Sequence, residues 1–211
     1  MADRNFQKKK RDDVKRKRKP IMLIATEGRN KTENQYFVSF QEQHGKYAIR
    51  FAKGLETDPV GLLKAVEKAW ERNELSAKYG DKAYVVLDMD CKPEKIRLVK
   101  ELQKESKDVR FIISNPCIEV WFLLHFIYTT HQFKDSKEPK KELAKYIPNY
   151  DESMDVSVIL RPKLEEAEKN LNQLKNYYDT LGIAWGSEEC NPMTDVIEVL
   201  QELEVFQYLY R

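Results

Sequence analysis

A chain of 211 residues suits one domain with room for a smaller C-terminal appendage, and 37 Lys and Arg against 35 Asp and Glu leave a formal charge of only +2. Bulk charge is therefore no guide to a partner. No stretch approaches the roughly 18 apolar residues of a spanning helix, and Cys91, Cys117 and Cys190 are too few and too widely spaced for a disulfide framework or a zinc knuckle. A cytoplasmic protein with no membrane contact is expected.

The charge is unevenly placed. Ten basic residues from Arg4 to Lys19 face only Asp3, Asp12 and Asp13, which predicts a solvated, disordered arm able to neutralise phosphates. Ile21-Met22-Leu23-Ile24-Ala25 then reads as a buried strand, broken by Gly28. Thr32-Glu33-Asn34-Gln35 is a capping-box pattern that starts a helix near Glu33 and carries Tyr36, Phe37 and Phe40 inward. Residues 47–51 predict a second strand. Asp58-Pro59 caps a helix through Leu62, Leu63, Val66, Ala69 and Trp70. Residues 83–87 predict a third strand, Pro93 opens another helix, and residues 109–113 predict a fourth strand.

Strands alternating with helices at this spacing predict an α/β fold with a mostly parallel sheet. From Cys117 the pattern changes. Residues 117–128 predict a helix apolar almost all round, with Asn115 as its cap and Pro116 in its first turn, and residues 129–139 a polar loop. Helices are expected over 140–147, 160–181 and 192–209, the last started by Asn191-Pro192. The expected organisation is a basic tail over 1–19, an α/β core over 20–128, and a helical C-terminal extension over 129–211 packed on that core.

Two acidic clusters fall where buried strands should end: Glu27-Gly28 with Thr32-Glu33 beyond, and Asp88-Met89-Asp90. Open α/β sheets place their sites outside the carboxyl ends of the strands. Carboxylates gathered there repel each other unless a hard cation such as Mg²⁺ neutralises them. In an extended or just-ended strand Asp88 and Asp90 would point the same way and address one cation. Gly28 permits a positive φ and a close approach of ligand to backbone. Each feature has an ordinary role too: Glu33 suits a helix dipole, and Asp residues end strands. Glu119, set among Val120, Trp121 and Phe122, needs a partner such as a metal, a base or a core hydrogen bond. His125, six residues on and on another face, suits a satisfied core histidine better than a catalyst.

Taken in order, Glu27-Gly28…Thr32-Glu33…Tyr36-Phe37, then Asp88-Met89-Asp90, then residues 114–126 (Ser-Asn-Pro-Cys-Ile-Glu-Val-Trp-Phe-Leu-Leu-His-Phe), then Asn191-Pro192-Met193-Thr194, this chain resembles the RloB-like proteins, which are Toprim-related and associated with phage defence. The resemblance runs from about Pro20 to the C-terminus. It implies a Toprim-like α/β fold and a metal-dependent nuclease in antiviral defence. Glu27 matches the Toprim glutamate, Asp88 and Asp90 its Asp-x-Asp, and Glu33 an additional acidic residue of the nuclease branches. Glu27, Asp88 and Asp90 would then bind Mg²⁺ or Mn²⁺, with Glu27 or Glu33 as general base, and Arg29 and Lys31 would hold phosphate. Related defence proteins imply RNA, tRNA among it, as substrate. The alternatives are a DNA-directed nuclease with an ATPase partner, and a non-catalytic scaffold that binds nucleic acid or a partner protein.

Overall fold

The computed structural model describes residues 18–27, 31–41, 45–54 and 57–208. Four strands, β1 (Ile21–Thr26), β2 (Ala48–Phe51), β3 (Lys82–Asp88) and β4 (Val109–Asn115), run parallel. A two-residue strand, β5 (Met193–Thr194), closes the edge antiparallel to β4, giving the order β2-β1-β3-β4-β5. The helices are α1 (Lys31–Val38), α2 (Pro59–Arg72), α3 (Pro93–Glu105), α4 (Glu119–Leu124), α5 (Lys137–Leu143), α6 (Ser157–Leu160), α7 (Leu164–Thr180) and α8 (Val196–Glu202). This is the expected mixed α/β architecture, a mostly parallel sheet flanked by helices, and it is consistent with a Toprim-like fold.

Both faces of the sheet are covered, so its strands are apolar on both sides. Ile21, Leu23 and Ala25 of β1 join one core with Val85, Phe111 and residues of α2 and α3. Met22 and Ile24 point the other way, into a larger core with Tyr36, Phe37, Trp121, Phe122 and residues of α5, α7 and α8. Trp121 is fully buried there, and its indole N–H donates to the Tyr36 hydroxyl at 2.7 Å. Helix α2 begins as its sequence predicts: Asp58 accepts from the Gly61 N–H at 3.0 Å, and Pro59 occupies the first turn.

Beyond β4 the elements differ from expectation. Asn115 does not cap a helix; it ends β4, accepting from the Cys91 N–H at 3.0 Å and donating to the Cys190 carbonyl at 2.8 Å. The apolar segment is helical only over Glu119–Leu124. The His125 ring bonds the Trp121 carbonyl and the Asn170 amide donates to the Leu124 carbonyl, so both acceptors are taken out of the helical ladder. The helix expected from 140 starts earlier, at Lys137. The one expected over 160–181 divides into α6 and α7 with a tight turn at Arg161–Lys163, where Pro162 lacks an N–H. The one expected over 192–209 begins only at Val196, because residues 193–194 pair with β4 and the Ser114 and Thr194 hydroxyls bond at 2.9 Å. That pairing covers an edge otherwise open to other chains.

Asp81, just before β3, ties the lower end of the sheet together. Its buried carboxylate accepts from the two terminal guanidinium nitrogens of Arg18, at 2.7 and 2.5 Å, and from the Ile21 and Ser76 N–H groups at 2.9 and 2.8 Å. Burial pushes its pKa up, but these donors outweigh it and hold the carboxyl at about 2. The folded pKa lies below the unfolded one, so this stability is present above about pH 4 and lost as pH falls toward about 2. Acid titration followed by circular dichroism should show Asp81→Asn less stable than the parent at neutral pH, with the gap closing across that window.

Candidate active site

Strand order reverses between β1, which leads to β2 on one side, and β3 on the other. Ligands of open α/β sheets sit at such a point, beyond the carboxyl ends of the strands. Thr26 lies opposite Val86, so the residues that follow β1 and end β3 are neighbours at that edge. Five carboxylates meet there: Glu27 after β1, Glu33 in the first turn of α1, Asp88 at the end of β3, Asp90 two residues on, and Glu119 opening α4.

Asp88 is the centre of this group. Its Oδ1 accepts from the Ile118 N–H at 2.9 Å. Burial first, and then the charges of Glu33, Glu119, Glu27 and Asp90, push its carboxyl well above the usual range. Glu33 is 3% exposed, and its Oε2 has no hydrogen-bond partner among the described residues. Burial lifts Glu33 to about 7; its own N–H opposes this, while Glu119, Glu27 and Glu152 add to it. Glu27 is also raised by burial, opposed by the Lys95 ammonium with which it pairs.

Asp90 departs from the geometry expected of it. The chain leaves the extended conformation after Asp88: the Met89 N–H donates to the Ser114 carbonyl at 2.7 Å and its side chain is buried. Asp90 and Cys91 then take left-handed φ values of 53° and 58°, a conformation that costs non-glycine residues energy and is held in place by its surroundings. The Asp90 N–H donates to the Pro116 carbonyl at 2.8 Å, and its Oδ1 accepts from the Ser136 hydroxyl at 2.8 Å. Asp88 and Asp90 thus share one field through a kinked turn rather than through strand alternation.

Four participants carry no signal in the sequence read locally. Lys95, from the first turn of α3, pairs with Glu27 and stands 3.6 Å from Asp90. Ser136 holds Asp90 from the loop before α5. Tyr150 donates to Glu119 Oε1 at 2.8 Å, and Lys140 of α5 lies 4.0 Å from the same oxygen while pairing with Glu152. Burial pushes the Lys140 pKa down, but Glu119 and Glu152 outweigh it and raise it. Residues past 128 thereby complete one wall of the crevice. Tyr150→Phe should cost about 1–2 kcal/mol, because it strips a buried carboxylate of its hydroxyl donor; urea unfolding would read this as a lower midpoint at constant slope.

His125 lies elsewhere. It is 1% exposed, with Nδ1 2.9 Å from the Trp121 carbonyl and its ring edge-on to the Trp121 indole. Burial lowers its pKa to about 4, so the ring is neutral at physiological pH. Gly28 and Arg29 lie outside the described residues, as does the basic tail through Lys17; Lys31 is the first residue of α1.

Among the described residues no three His, Cys, Asp or Glu side chains are arranged to hold a metal ion. At the mouth of the crevice the Lys95 ammonium pairs with Glu27, and Lys92 and Lys95 stand 3.5 and 3.6 Å from Asp90. The donor chemistry nevertheless suits a hard cation: the groups are carboxylates, and one buried oxygen of Glu33 lacks a partner among the described residues. Among the described residues no helix is long and apolar enough to cross a membrane.

No curated protein and no solved structure matches this sequence. A family model described as RloB-like protein matches residues 22–203, which takes in all five crevice carboxylates, Lys95, Lys140 and Tyr150. The chain belongs to the RloB-like protein family.

Proposed function

We propose that this protein is a metal-dependent phosphodiesterase that cleaves nucleic acid in antiviral defence, with RNA, tRNA among it, as the favoured substrate. The observation that carries this reading is the convergence of five carboxylates at the sheet's switch point, with Glu33 buried and one of its oxygens unpartnered among the described residues. Burying like charges together is costly unless a cation or a proton joins them. Glu27, Asp88 and Asp90 would hold Mg²⁺ or Mn²⁺, which supplies Lewis acidity toward a phosphoryl oxygen when bound. Glu33, with a pKa of about 7, is poised to take a proton near neutral pH, and Glu27 is the alternative base. Lys95 carries a cation at the crevice mouth suited to a phosphate oxygen.

A second reading, a non-catalytic scaffold for nucleic acid or a partner protein such as an ATPase, draws support from the same lysine. Lys95 already neutralises Glu27 and Asp90 from within the chain. The two readings part on one experiment: labelled tRNA and plasmid DNA incubated with pure protein in Mg²⁺, Mn²⁺ or EDTA. Metal-dependent cleavage establishes the nuclease and ranks RNA against DNA. No cleavage of either, with no Mn²⁺-dependent rise in thermal stability, establishes the scaffold.

A further inference from the structure

The outer face of α2 carries Lys64, Lys68 and Arg72, three cations at i, i+4 and i+8 and therefore in one row. The opposite face buries Leu62, Leu63, Val66 and Ala69 against the sheet, so the row cannot turn inward. Together with Lys53, these residues line a groove of about 490 Å³. All four are exposed, and none forms an ion pair among the described residues. This sets them apart from Lys46, Lys82, Arg97, Arg110 and Lys140, each of which is paired with a glutamate. Glu67 and Glu71 of the same helix lie on the neighbouring strip and do not line the groove.

Among the described residues the acidic one that does line it, Asp58, spends Oδ1 on the Gly61 N–H as the cap of α2. Asp58 also lines a second hollow of about 550 Å³, shared with Glu27, Asp90, Lys92 and Lys95. The groove and the mouth of the carboxylate crevice therefore meet at the N-terminus of α2. From there the helix runs back along the sheet, and its cationic row spans about 12 Å from Lys64 to Arg72.

We infer that the groove formed by Lys53, Lys64, Lys68 and Arg72 is the track on which a nucleic-acid backbone lies as it enters the crevice. The inference rests on reading that crevice as a site for nucleic acid. Cations with no ion-pair partner among the described residues, set along a continuous groove, complement a chain of phosphates, which neutralise them with release of counterions. A strand laid along α2 leads its backbone past Asp58 to Lys95, where the groove and the crevice join.

The test is fluorescence anisotropy of labelled single-stranded RNA, DNA of the same sequence, and duplex DNA with the full chain. EDTA is present so that binding is read without cleavage. The variant is K64Q/K68Q/R72Q; the control is K141Q/K145Q/K169Q, equal in charge change but on α5, its following turn and α7. The groove variant should weaken binding at least about tenfold and flatten the salt dependence by about 2 in logarithmic slope for single strands. The control should leave the slope near that of the parent. Equal effects from both variants, no effect from the groove variant, or no binding by the parent would each overturn the inference. The arms rank RNA against DNA as the occupant. Its fate is separable from that of the nuclease: cleavage that needs metal while binding ignores the groove keeps the nuclease and discards the track. Groove-dependent binding with no cleavage does the reverse.

Discussion

Asp88→Asn is expected to abolish metal-dependent cleavage, with a loss of about a thousandfold or more, while leaving the fold intact. A divalent ion stabilises phosphoryl transition-state charge by several kcal/mol, and each 1.36 kcal/mol is tenfold in rate. Asp88 stands at the centre of the acidic group, within the field of all four other carboxylates. Asn keeps the shape and retains an oxygen to accept from the Ile118 N–H, so the turn into α4 is preserved. What it removes is an ionisable group whose charged form is disfavoured by burial and by its acidic neighbours, so the metal-free protein should be no less stable than its parent.

That dissociation is the diagnostic outcome. Stability held with cleavage lost, measured by thermal unfolding and single-turnover kinetics on one preparation, assigns Asp88 to chemistry. Cleavage surviving in Asp88→Asn would remove it from the site. Glu119→Gln is the informative companion, because Tyr150 and Lys140 already engage Glu119 from the other side. Its loss should be smaller and accompanied by destabilisation, as fits a residue that joins the crevice to the C-terminal extension.

The α/β core was legible because its signals are local. Apolar runs such as Ile21-Met22-Leu23-Ile24-Ala25 stop at turn residues, and Asp58-Pro59 states the start of α2 outright. The C-terminal third was less legible for reasons that are equally physical. A two-residue strand such as Met193-Thr194 is too short to show a period, and the end of α4 depends on His125 and Asn170 claiming carbonyls across the structure. The acidic clusters could be read because strand ends collect sites. Lys95, Ser136 and Tyr150 could not, since each reaches the crevice from an element whose packing no local pattern reveals. The left-handed turn at Asp90 is likewise set by Pro116 and Ser136, residues distant in the chain.

Mn²⁺ is expected to raise the melting temperature by about 5–10 °C at concentrations near 100 times its dissociation constant, and one fixed concentration is expected to stabilise more at alkaline than at acid pH. The size follows from linkage, about 2.7 kcal/mol at that excess, spread over a chain of this length. The pH dependence follows from Glu33. Its folded pKa of about 7 exceeds the value of 4.5 for an exposed glutamate, so the metal-free folded chain holds a proton that the unfolded chain has released. Stability from this group is present below about pH 4.5 and is lost as pH rises through about 7. Asp88 shifts in the same direction and deepens the loss. His125 acts oppositely: its folded pKa is lowered to about 4 from 6.5, so its penalty appears only as pH falls below about 6.5. Comparing about pH 6.5 with about pH 8 therefore isolates the carboxylates. In EDTA the parent should melt lower at the higher pH, and Glu33→Gln should flatten that dependence. A cation takes the place of the lost proton, so its stabilisation grows as protons cease to compete. Equal Mn²⁺ stabilisation of the parent and Asp88→Asn would place the ion elsewhere. No stabilisation at either pH would leave the lysines of the crevice, Lys95 first among them, as its counter-charges, and the scaffold reading would stand.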